Sequence, residues 1–299
     1  MMPALEQENL RGELRLEEPL SRHTTWRVGG PARRFYRPAD REDLLCFLRG
    51  LDAEEPLLWL GLGSNLLVRD GGFKGTVIAT QGRLRQMAWP QPRRLYAEAG
   101  VACAKIARAA ARAGLCGVEF LAGIPGTLGG ALAMNAGAFG GETWRRVEAV
   151  ETVDRHGVVR RRGPADFEIG YRQVSGPAGE WFLAAELNLL EGDSGAAQRQ
   201  IQRLLERRAA TQPTRQASCG SVFRNPTGEH AARLIEEAGL KGLSVGGAQV
   251  SPKHANFIVN TGAARAEDIE RLIEEVRRVV ERRSGIRLET EVHCIGERA

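Results

Sequence analysis

The sequence predicts an α+β protein of three consecutive parts, and three observations indicate this. Strand-like and helix-like segments alternate up to about residue 80, strand-like segments dominate residues 81–196, and helices flank short strands in residues 197–299. A polar break that contains a proline, Thr211–Thr214, interrupts the helical pattern and is a further candidate boundary. We therefore predict domains at residues 1–80, 81–196 and 197–299.

The first part combines one helix with short strands. It begins with a pattern typical of a short strand and a turn at Thr24–Pro31. Asp40 is a typical helix N-cap and Gly50 a typical stop, and between them one helical face carries Leu44, Leu45 and Leu48. Apolar runs then predict strands at Leu57–Leu60 and Val77–Ala79, which completes a small α/β unit.

The second and third parts hold the remaining elements. An alternating pattern predicts a strand at Leu95–Gly100, and helical spacing predicts a helix over 102–113 with Gly114 behind it. The sequence predicts further strands at Val147–Val153, Val158–Arg161, Trp181–Leu190, Phe257–Val259 and 288–295. It predicts further helices at 197–210, 229–238 and 267–283. The last helix should place on one face Ile269, Leu272, Ile273, Val276 and Val280.

Two glycine-rich stretches, about sixty residues apart, carry the strongest functional signal. They are Gly61–Asn65 and Gly123–Gly130, and each lies beside an apolar run. Glycine has no Cβ, so the backbone N–H groups of such a loop can approach an anion closely. Together with the polar side chains of Asn65, Thr127 and Asn135, the two loops favour a long anionic ligand, above all a diphosphate-bridged dinucleotide.

Neither stretch is a standard nucleotide-binding motif. No Gly-Lys-Ser/Thr follows Gly61–Asn65, so this stretch is not a P-loop. It is not the dinucleotide fingerprint either, because the third glycine is missing and Leu66–Val68 predicts a strand where that motif has a helix. Each loop alone is better explained as a tight turn, and only the pair favours a phosphate cradle.

Composition excludes several classes of protein. The 299 residues are 42% hydrophobic and 26% charged, and no apolar run approaches the length of a membrane span. The acidic N-terminus, Met1–Glu8, lacks an apolar signal core, so we expect a cytoplasmic protein. The 5 cysteines and 5 histidines are dispersed, so we expect neither a disulfide framework nor a metal site. The net charge is +5, and most of the positive charges are arginines that alternate with glutamates along helical patterns. This modest, dispersed positive charge suits an anionic small substrate better than a nucleic acid.

The segment Ser218–Pro226 surrounds one short apolar pair with polar and flexible residues. Ser221 can donate or accept a proton, and Arg224 and Asn225 can hold an anion. A loop with a hairpin turn explains the same pattern, so these three residues are candidates only.

Other candidates lie elsewhere in the chain. Arg172 follows Tyr171, and a guanidinium is the usual partner of a substrate carboxylate, although arginines are also common on strand surfaces. Glu289 and Glu291 should share one strand face, where the simplest interpretation is that both are solvated. His254 is either catalytic or, as is commoner for a lone histidine, hydrogen-bonded and structural.

Seven motifs stand in a fixed order between about Leu20 and about Gly296. They are Thr24–Pro31, Gly61–Val68, Gly117–Gly141, Tyr171-Arg172, Ser218–Pro226, His254–Asn260 and Leu288–Gly296. Together they resemble the UDP-N-acetylenolpyruvoylglucosamine reductases, flavoenzymes of peptidoglycan precursor synthesis. The Ser-Cys-Gly-Ser form of the fifth motif resembles the shorter subtype of that family, which lacks an extra tyrosine loop over the substrate.

The resemblance implies the two-subdomain FAD-binding fold of the vanillyl-alcohol-oxidase type, followed by a C-terminal α+β substrate-binding domain. It implies that the catalytic residues are Arg172, Ser221 and Glu291. The implied cofactor-binding residues are Gly61, Gly63, Ser64, Asn65, Leu66, Gly123, Ile124, Pro125, Gly126, Thr127, Gly129, Asn135, Ala136 and Gly137. The implied substrate-binding residues are Tyr171, Arg224 and Asn225.

The resemblance also implies the reaction, in which NADPH reduces UDP-N-acetylglucosamine enolpyruvate to UDP-N-acetylmuramate through bound FAD. No segment matches the histidine that links flavin covalently in related oxidases, so we expect noncovalent FAD. Without fixing the oligomeric state, the sequence leads us to expect a monomer that binds neither nucleic acid nor membranes.

Two alternative functions remain open from the sequence. The first is an FAD oxidase on the same fold, which would use O₂ and usually carry a flavin-linking histidine. The second is a nucleotide- or anion-binding module without enzymatic activity. The module would explain the glycine loops and the positive charge, but it leaves the combination of Arg172, Ser221 and Glu291 without a role.

Overall fold

The structure is a computed structural model that describes residues 10–299. It consists of helices and mainly antiparallel sheets, which confirms the predicted α+β class. The acidic segment Met1–Glu8, in which the sequence shows no signal core, lies outside the described residues.

The described residues form six α-helices, joined by short strands and four 3₁₀ turns. The α-helices are α1 (Arg41–Arg49), α2 (Cys103–Arg112), α3 (Leu128–Ala133), α4 (Ser194–Thr211), α5 (Ala231–Glu237) and α6 (Ala266–Ser284). The 3₁₀ turns are Leu20–Arg22, Glu119–Gly123, Thr143–Arg146 and Pro164–Asp166.

The strands of the described residues are numbered in chain order. They are β1 (Glu13–Pro19), β2 (Pro31–Arg37), β3 (Leu57–Leu60), β4 (Leu66–Val68), β5 (Phe73–Ala79), β6 (Met87–Gln91), β7 (Arg94–Glu98), β8 (Leu115–Cys116), β9 (Gly137–Ala138), β10 (Gly141–Glu142), β11 (Val147–Asp154), β12 (Val159–Arg162), β13 (Glu168–Gly170), β14 (Gln173–Ser175), β15 (Glu180–Asn188), β16 (Leu190–Glu191), β17 (Ala217–Ser218), β18 (Ser244–Val245), β19 (Ala248–Val250), β20 (Ile258–Asn260) and β21 (His293–Ile295).

The chain divides into two compact units, each made of three separate stretches. Among the described residues, unit 1 comprises residues 10–15, 34–62 and 75–206. Unit 2 comprises residues 16–33, 63–74 and 207–299. The boundaries that the sequence predicts near residues 80 and 196 stay predictions.

Unit 1 is organised around a five-stranded antiparallel sheet in the order β12-β11-β15-β7-β6. Helix α2 buries its alanine-rich face and Ile106 in the same core as Leu95 and Val150. In helix α1, the Asp40 carboxylate caps the Asp43 N–H at 3.0 Å and Gly50 follows the last turn, as the sequence predicts. The sheet and helix α2 share the core in which Leu128 of the second glycine loop is buried.

Unit 2 packs the long helix α6 against a four-stranded antiparallel sheet in the order β17-β20-β19-β18. The predicted face of α6 is confirmed, since its apolar side chains are at most 2% exposed: Ile269, Leu272, Ile273, Val276 and Val280. Strand β21 pairs in parallel with β4, with His293 opposite Leu66 and Ile295 opposite Val68. This pairing holds the end of the chain beside the segment that follows the first glycine loop.

The strand predicted at the start of Thr24–Pro31 is wrong. Residues 24–27 form a turn instead, in which the Arg27 N–H donates to the Thr24 carbonyl at 3.1 Å and Arg27 has a φ of 59°. Trp26 is fully buried, and its Nε1–H donates to the Ile258 carbonyl at 2.7 Å. A tertiary contact across 232 residues therefore fixes a backbone that local pattern reads as extended.

The strand predicted at 288–295 is shorter than expected, because β21 covers only His293–Ile295. The N–H groups of Glu291 and Val292 both donate to the Val222 carbonyl, at 2.8 and 3.4 Å, and the chain bends there. Glu289 is exposed while Glu291 is half-buried, so the expectation that both lie on one solvated strand face is wrong.

No helix within residues 10–299 combines the length and the apolar character that crossing a bilayer requires.

Candidate active site

In unit 1, the start of the first glycine loop lies against Thr127 of the second loop. A Cβ added at Gly61 would lie 2.4 Å from the Thr127 hydroxyl, closer than any side chain tolerates. Thr127 is 2% exposed, and its hydroxyl has no hydrogen-bond partner among the described residues. A buried hydroxyl without a partner is costly, so this group fits a site whose ligand supplies the acceptor.

The second glycine loop passes into helix α3 close to strand β7. The N–H of Gly129 donates to the Ala99 carbonyl at 2.8 Å, and a Cβ at Gly129 would lie 2.9 Å from the Ala99 Cβ. Leu128 donates in the same way to the Val101 carbonyl at 2.8 Å. Glycine is required here because the loop backbone runs directly against the backbone of its neighbour.

A cavity of about 270 Å³ opens beside these loops within unit 1. Gly61, Gly129 and Thr80 line it, together with Trp59 and Trp181, whose rings stack at 5.5 Å. The Nε1–H of Trp59 is shielded from solvent and has no partner in the described part of the chain. Aromatic walls, glycine backbone and two unpaired donors suit a planar heterocycle joined to phosphates.

Asn135, at the end of the second loop region, uses its side chain on protein groups. Its Oδ1 accepts from the Trp144 N–H at 3.2 Å, and its Nδ2 donates to the Gly170 carbonyl at 3.0 Å. The residue is 2% exposed and has a φ of 44°, a left-handed conformation that asparagine tolerates better than most residues. The Asn135 amide therefore ties this loop to the hairpin β13–β14.

Arg172 lies at the tip of that hairpin, also in the left-handed region with a φ of 56°. Its Nη2 donates to the Gly137 carbonyl at 2.6 Å, and its Nη1 donates to the Asn135 carbonyl at 3.5 Å. The guanidinium also lies 5.1 Å from the centre of the Tyr171 ring, which is a cation–π distance. These contacts orient the Arg172 side chain toward the backbone that follows helix α3.

In unit 2, the rest of the first glycine loop is anchored on both sides. Gly63 has a φ of 67°, its carbonyl accepts from the Thr25 N–H at 3.1 Å, and an added Cβ would lie 2.2 Å from the His23 carbonyl oxygen. Asn65 donates from Nδ2 to the Glu291 carbonyl at 3.0 Å. The Asn65 side chain thus connects the loop to one of the catalytic candidates.

Unit 2 also brings Ser221 and Glu291 together. The residue after Ser221, Val222, accepts the Glu291 N–H at 2.8 Å, and Phe223 forms an isolated β-bridge with Thr290. Both candidate side chains are half-buried. A hydroxyl and a carboxyl group are therefore fixed on adjacent backbone segments of one unit.

Cys219 links the segment that carries Ser221 to the backbone around the first glycine loop. It is 1% exposed, and its thiol donates to the Leu66 carbonyl at 3.6 Å and lies 4.0 Å from the Gly63 carbonyl oxygen. Burial raises the pKa of this thiol to about 12, so it stays protonated and acts as a weak donor.

The two remaining residues of the Ser218–Pro226 motif have structural contacts. Asn225 accepts the Ala231 N–H on its Oδ1 at 3.1 Å, at the start of helix α5, although the residue is exposed. Arg224 donates its backbone N–H to the Glu289 carbonyl at 2.9 Å, and its guanidinium lies 4.0 Å from the Glu289 carboxylate.

His254 is a hydrogen-bonded residue, as the commoner interpretation predicts. Its Nδ1 accepts from the Asn256 N–H at 3.3 Å, and its ring meets Phe257 edge-on at 4.8 Å. Burial lowers the pKa of His254, with Lys241 as a smaller cause, which favours the neutral ring that can accept this bond.

A larger cavity of about 460 Å³ lies along helix α6 in unit 2, but charged side chains that line it already form ion pairs with one another. Arginines that line it pair with acids that line it, for example Arg69 with Glu270 at 2.9 Å and Arg278 with Glu275 at 2.6 Å. Interleaved charges that neutralise one another give no net attraction for an anion, so the smaller cavity in unit 1 is the better candidate for the ligand site.

Each unit thus contains some of the site residues that the sequence predicts, in contact with one another. In unit 1, the contacts link Gly61 to Thr127 and link Asn135 and Gly137 to Arg172. In unit 2, they link Gly63, Asn65, Ser221 and Glu291. The sequence interpretation missed Trp59, Trp181 and Asn256; the first two lie in runs that predict ordinary strands, and nothing in the pattern marks the third.

Comparisons with known proteins define the class. Residues 32–163 match a family described as an FAD binding domain, and they include Gly61, Thr127 and Asn135. The unpaired Thr127 hydroxyl and Trp59 Nε1–H, with the glycine backbone beside them, fit such a dinucleotide. The protein is an FAD-dependent oxidoreductase.

The rest of the chain identifies the family. Residues 212–295 match the C-terminal domain of UDP-N-acetylenolpyruvoylglucosamine reductase. The chain is 63% identical over 296 residues to the reductase of that name from Alkalilimnicola ehrlichii, covering 99% of both proteins. It is 62% identical to the reductase from Methylococcus capsulatus, covering 96% of this chain and 94% of that protein. The chain therefore belongs to the UDP-N-acetylenolpyruvoylglucosamine reductase family, as the sequence motifs predict.

A solved structure agrees with this assignment. The crystal structure of UDP-N-acetylenolpyruvylglucosamine reductase from Thermus caldophilus matches with a TM-score of 0.82 and 37% sequence identity. The match covers 95% of this chain and 99% of that one. The predicted FAD-binding fold with an additional C-terminal substrate domain is confirmed by the two family matches and this structure.

Proposed function

We propose that the protein reduces the enolpyruvyl ether of UDP-N-acetylglucosamine to UDP-N-acetylmuramate with NADPH, in peptidoglycan precursor synthesis. The observation that carries the proposal is the backbone bond between Val222 and Glu291, which joins the segment that follows Ser221 to the backbone of Glu291. A hydroxyl donor and a carboxyl group on adjacent segments suit addition of a proton to a substrate that carries a carboxylate.

FAD, when bound, would supply a hydride, that is a proton with the two electrons taken from NADPH, to the terminal carbon of the enolpyruvyl double bond. Among this chain's residues, Gly61, Gly129 and Thr127 suit its phosphates, and Trp59 and Trp181 suit its adenine ring. The other proposed contacts come from the two loop regions: Gly63, Ser64, Asn65, Leu66, Gly123, Ile124, Pro125, Gly126, Asn135, Ala136 and Gly137. Because the Asn135 side chain is bonded to protein groups, we assign its contribution to the backbone.

Arg172 stabilises the charge that develops on the substrate carboxylate. Adding a hydride to the methylene carbon would leave an electron pair on the carbon that carries the ether oxygen, and this pair would spread into the carboxylate bonded to that carbon, which becomes enolate-like. A guanidinium whose direction is already set by the Gly137 and Asn135 carbonyls meets this charge without reorganising. Tyr171, stacked beside the guanidinium, is the proposed substrate contact on the same hairpin.

Ser221 donates the proton that completes the reduction. The carbon that carries the ether oxygen becomes basic once the electron pair has moved, and it takes the hydroxyl proton of Ser221. The serine oxygen then recovers a proton from solvent, so that the enzyme returns to its starting state. Glu291, in its protonated form, donates a hydrogen bond to the substrate carboxylate and favours the enolate-like charge. Arg224 and Asn225 complete the proposed substrate contacts.

We also propose that FAD is bound noncovalently and that the protein acts as a cytoplasmic monomer without nucleic-acid or membrane partners. No segment matching a flavin-linking histidine motif was found in the sequence, which supports noncovalent binding. The interleaving of arginines with glutamates supports the absence of a nucleic-acid surface.

The test is an absorption spectrum of the purified protein in three states. We expect a flavin spectrum as isolated, loss of the long-wavelength band with NADPH under anaerobic conditions, and its return on adding the enolpyruvyl ether. A flavin that is reoxidised by O₂ with release of peroxide but not by the ether would identify an oxidase. A protein that is colourless even after incubation with FAD would be a simple anion-binding module.

A further inference from the structure

We propose that Asn256 is a positioning residue that sets both Ser221 and Glu291 for proton delivery, and that it acts through the backbone of the segment that follows Ser221. The inference rests on the proposed function for its catalytic meaning, and on the hydrogen bonds of unit 2 for its geometry. Asn256 lies in the loop between β19 and β20 and is 4% exposed.

Asn256 holds the segment after Ser221 by three hydrogen bonds. Its backbone carbonyl accepts the Val222 N–H at 2.9 Å. Its side-chain Oδ1 accepts the Phe223 N–H at 3.0 Å, and its Nδ2 donates to the Phe223 carbonyl at 2.8 Å. The side-chain amide thus takes the place that a neighbouring β-strand would occupy, since it satisfies both backbone groups of one residue.

The opposite edge of the same segment holds the second catalytic candidate. Val222 offers its carbonyl to the Glu291 N–H at 2.8 Å, and Arg224 donates its N–H to the Glu289 carbonyl at 2.9 Å. One short segment is therefore hydrogen-bonded to Asn256 on one side and to the chain around Glu291 on the other. A shift of this segment moves Ser221 directly and Glu291 through Val222.

Water cannot replace the Asn256 amide without rearrangement. Val222 is fully buried and Phe223 is 2% exposed, so the backbone groups that the amide satisfies are out of solvent. Removing the amide leaves a buried N–H and a buried carbonyl without partners, and the segment must shift to satisfy them. Asn256 is itself oriented by its N–H bond to His254 Nδ1 at 3.3 Å.

The experiment compares Asn256→Ala with Asn260→Ala in the FAD-loaded protein. Asn260 is the control, because its side chain is also hydrogen-bonded to backbone groups: Nδ2 donates to the Trp26 carbonyl, and Oδ1 accepts from the N–H groups of Gly262 and Ala264. None of these three bonds goes to the Ser221 segment. Three quantities are measured: flavin reduction by NADPH, flavin reoxidation by the enolpyruvyl ether, and amide hydrogen exchange in peptides covering 218–226 and 288–293.

For Asn256→Ala we expect reoxidation by the ether to slow by roughly 10²-fold, because a small displacement of reacting groups has about that effect, while NADPH reduction stays within about twofold. Amide exchange should accelerate in both peptides. Asn260→Ala should lower thermal stability but leave both half-reactions and both peptides close to wild type. Asn256→Asp, which keeps the shape and the acceptor but loses the donor, should lie between wild type and Asn256→Ala, and it replaces the alanine variant if that does not fold.

Normal reoxidation in a folded Asn256 variant would overturn the proposal, as would equal slowing of both half-reactions. Unchanged exchange at 288–293 would overturn the link between Asn256 and Glu291. Failure of the wild-type protein to be reoxidised by the ether would instead count against the proposed function, and the exchange measurements would still decide whether Asn256 holds the two segments.

Discussion

The Asn135 amide donates to the Gly170 carbonyl at 3.0 Å, and the Arg172 guanidinium returns a bond to the Asn135 carbonyl at 3.5 Å. Asn135 thus holds the hairpin that carries Arg172, and Arg172 bonds back to Asn135; both residues have left-handed backbones, with φ of 44° and 56°. An arginine held in this way is oriented before any substrate arrives, which is the condition for efficient electrostatic stabilisation.

Replacing Arg172 by lysine should lower kcat more than it raises KM. Lysine keeps the charge but loses the planar fork that bonds to the Gly137 carbonyl and matches a carboxylate. Loss of one preorganised donor typically costs ~10²–10³ in rate. Steady-state kinetics with the enolpyruvyl ether measures the effect. Arg161→Lys, at an exposed arginine paired with Glu186, is the matched control, and near-normal turnover in Arg172→Lys would remove Arg172 from the mechanism.

Replacing Ser221 by alanine should separate the two half-reactions. A proton donor to the substrate has no task in flavin reduction, so NADPH should still bleach the flavin at nearly the wild-type rate. Reoxidation by the ether should slow by ~10²–10⁴, the usual contribution of general acid catalysis. Stopped-flow absorbance follows both steps, with Ser244→Ala at an exposed serine as the control. Equal losses in the two steps would mean that Ser221 has a structural role.

Replacing Thr127 by valine should weaken FAD binding without destabilising the apoprotein. The Thr127 hydroxyl is buried and lacks a partner among residues 10–299, so an apolar group of the same shape removes a desolvation cost. If the hydroxyl bonds to a phosphate, the dissociation constant of FAD should rise about tenfold to a hundredfold. Thermal melts with and without FAD test both statements. Thr127→Ser keeps the hydroxyl and should bind normally; weak binding by both variants would point to shape as the cause.

Replacing Asp43 by asparagine should destabilise unit 1 at neutral pH but not in strong acid. Burial alone would raise the pKa of Asp43, but hydrogen bonds from Tyr36, Ala39, Arg11 and Gly12 outweigh it and lower the pKa. A lowered folded-state pKa gives stability that is present above the unfolded pKa of about 3.9 and is lost as the pH falls through the folded value. The difference in melting temperature between wild type and Asp43→Asn should therefore shrink below about pH 4. A constant difference down to pH 2 would contradict this.

Local signals in the sequence were sufficient for elements that local energetics determine. Asp40 and Gly50 mark the ends of α1 because a cap and a stop act within one turn. The buried face of α6 follows from helical periodicity alone.

Features that depend on distant contacts were not predictable. The turn at Trp26 depends on the carbonyl of Ile258, and the bend at Glu291 depends on the carbonyl of Val222. The candidate catalytic residues were identified through family motifs, whereas the partners that hold them, such as Asn256, sit in segments whose pattern gives no sign of a role. A side-chain amide that replaces a strand becomes visible only in three dimensions.

Because Cys219 is buried, the rate at which its thiol reacts measures how often the structure around it opens locally. Its thiol is 1% exposed and its pKa is raised to about 12, so alkylating reagents meet almost no thiolate in the closed state. Labelling at Cys219 must wait until the segment that carries Ser221 detaches from the carbonyls of Gly63 and Leu66. The rate at which this sulfur is modified therefore reports how often the loop that carries Ser221 opens, and a ligand that holds this loop closed will slow the modification of a cysteine that it does not contact.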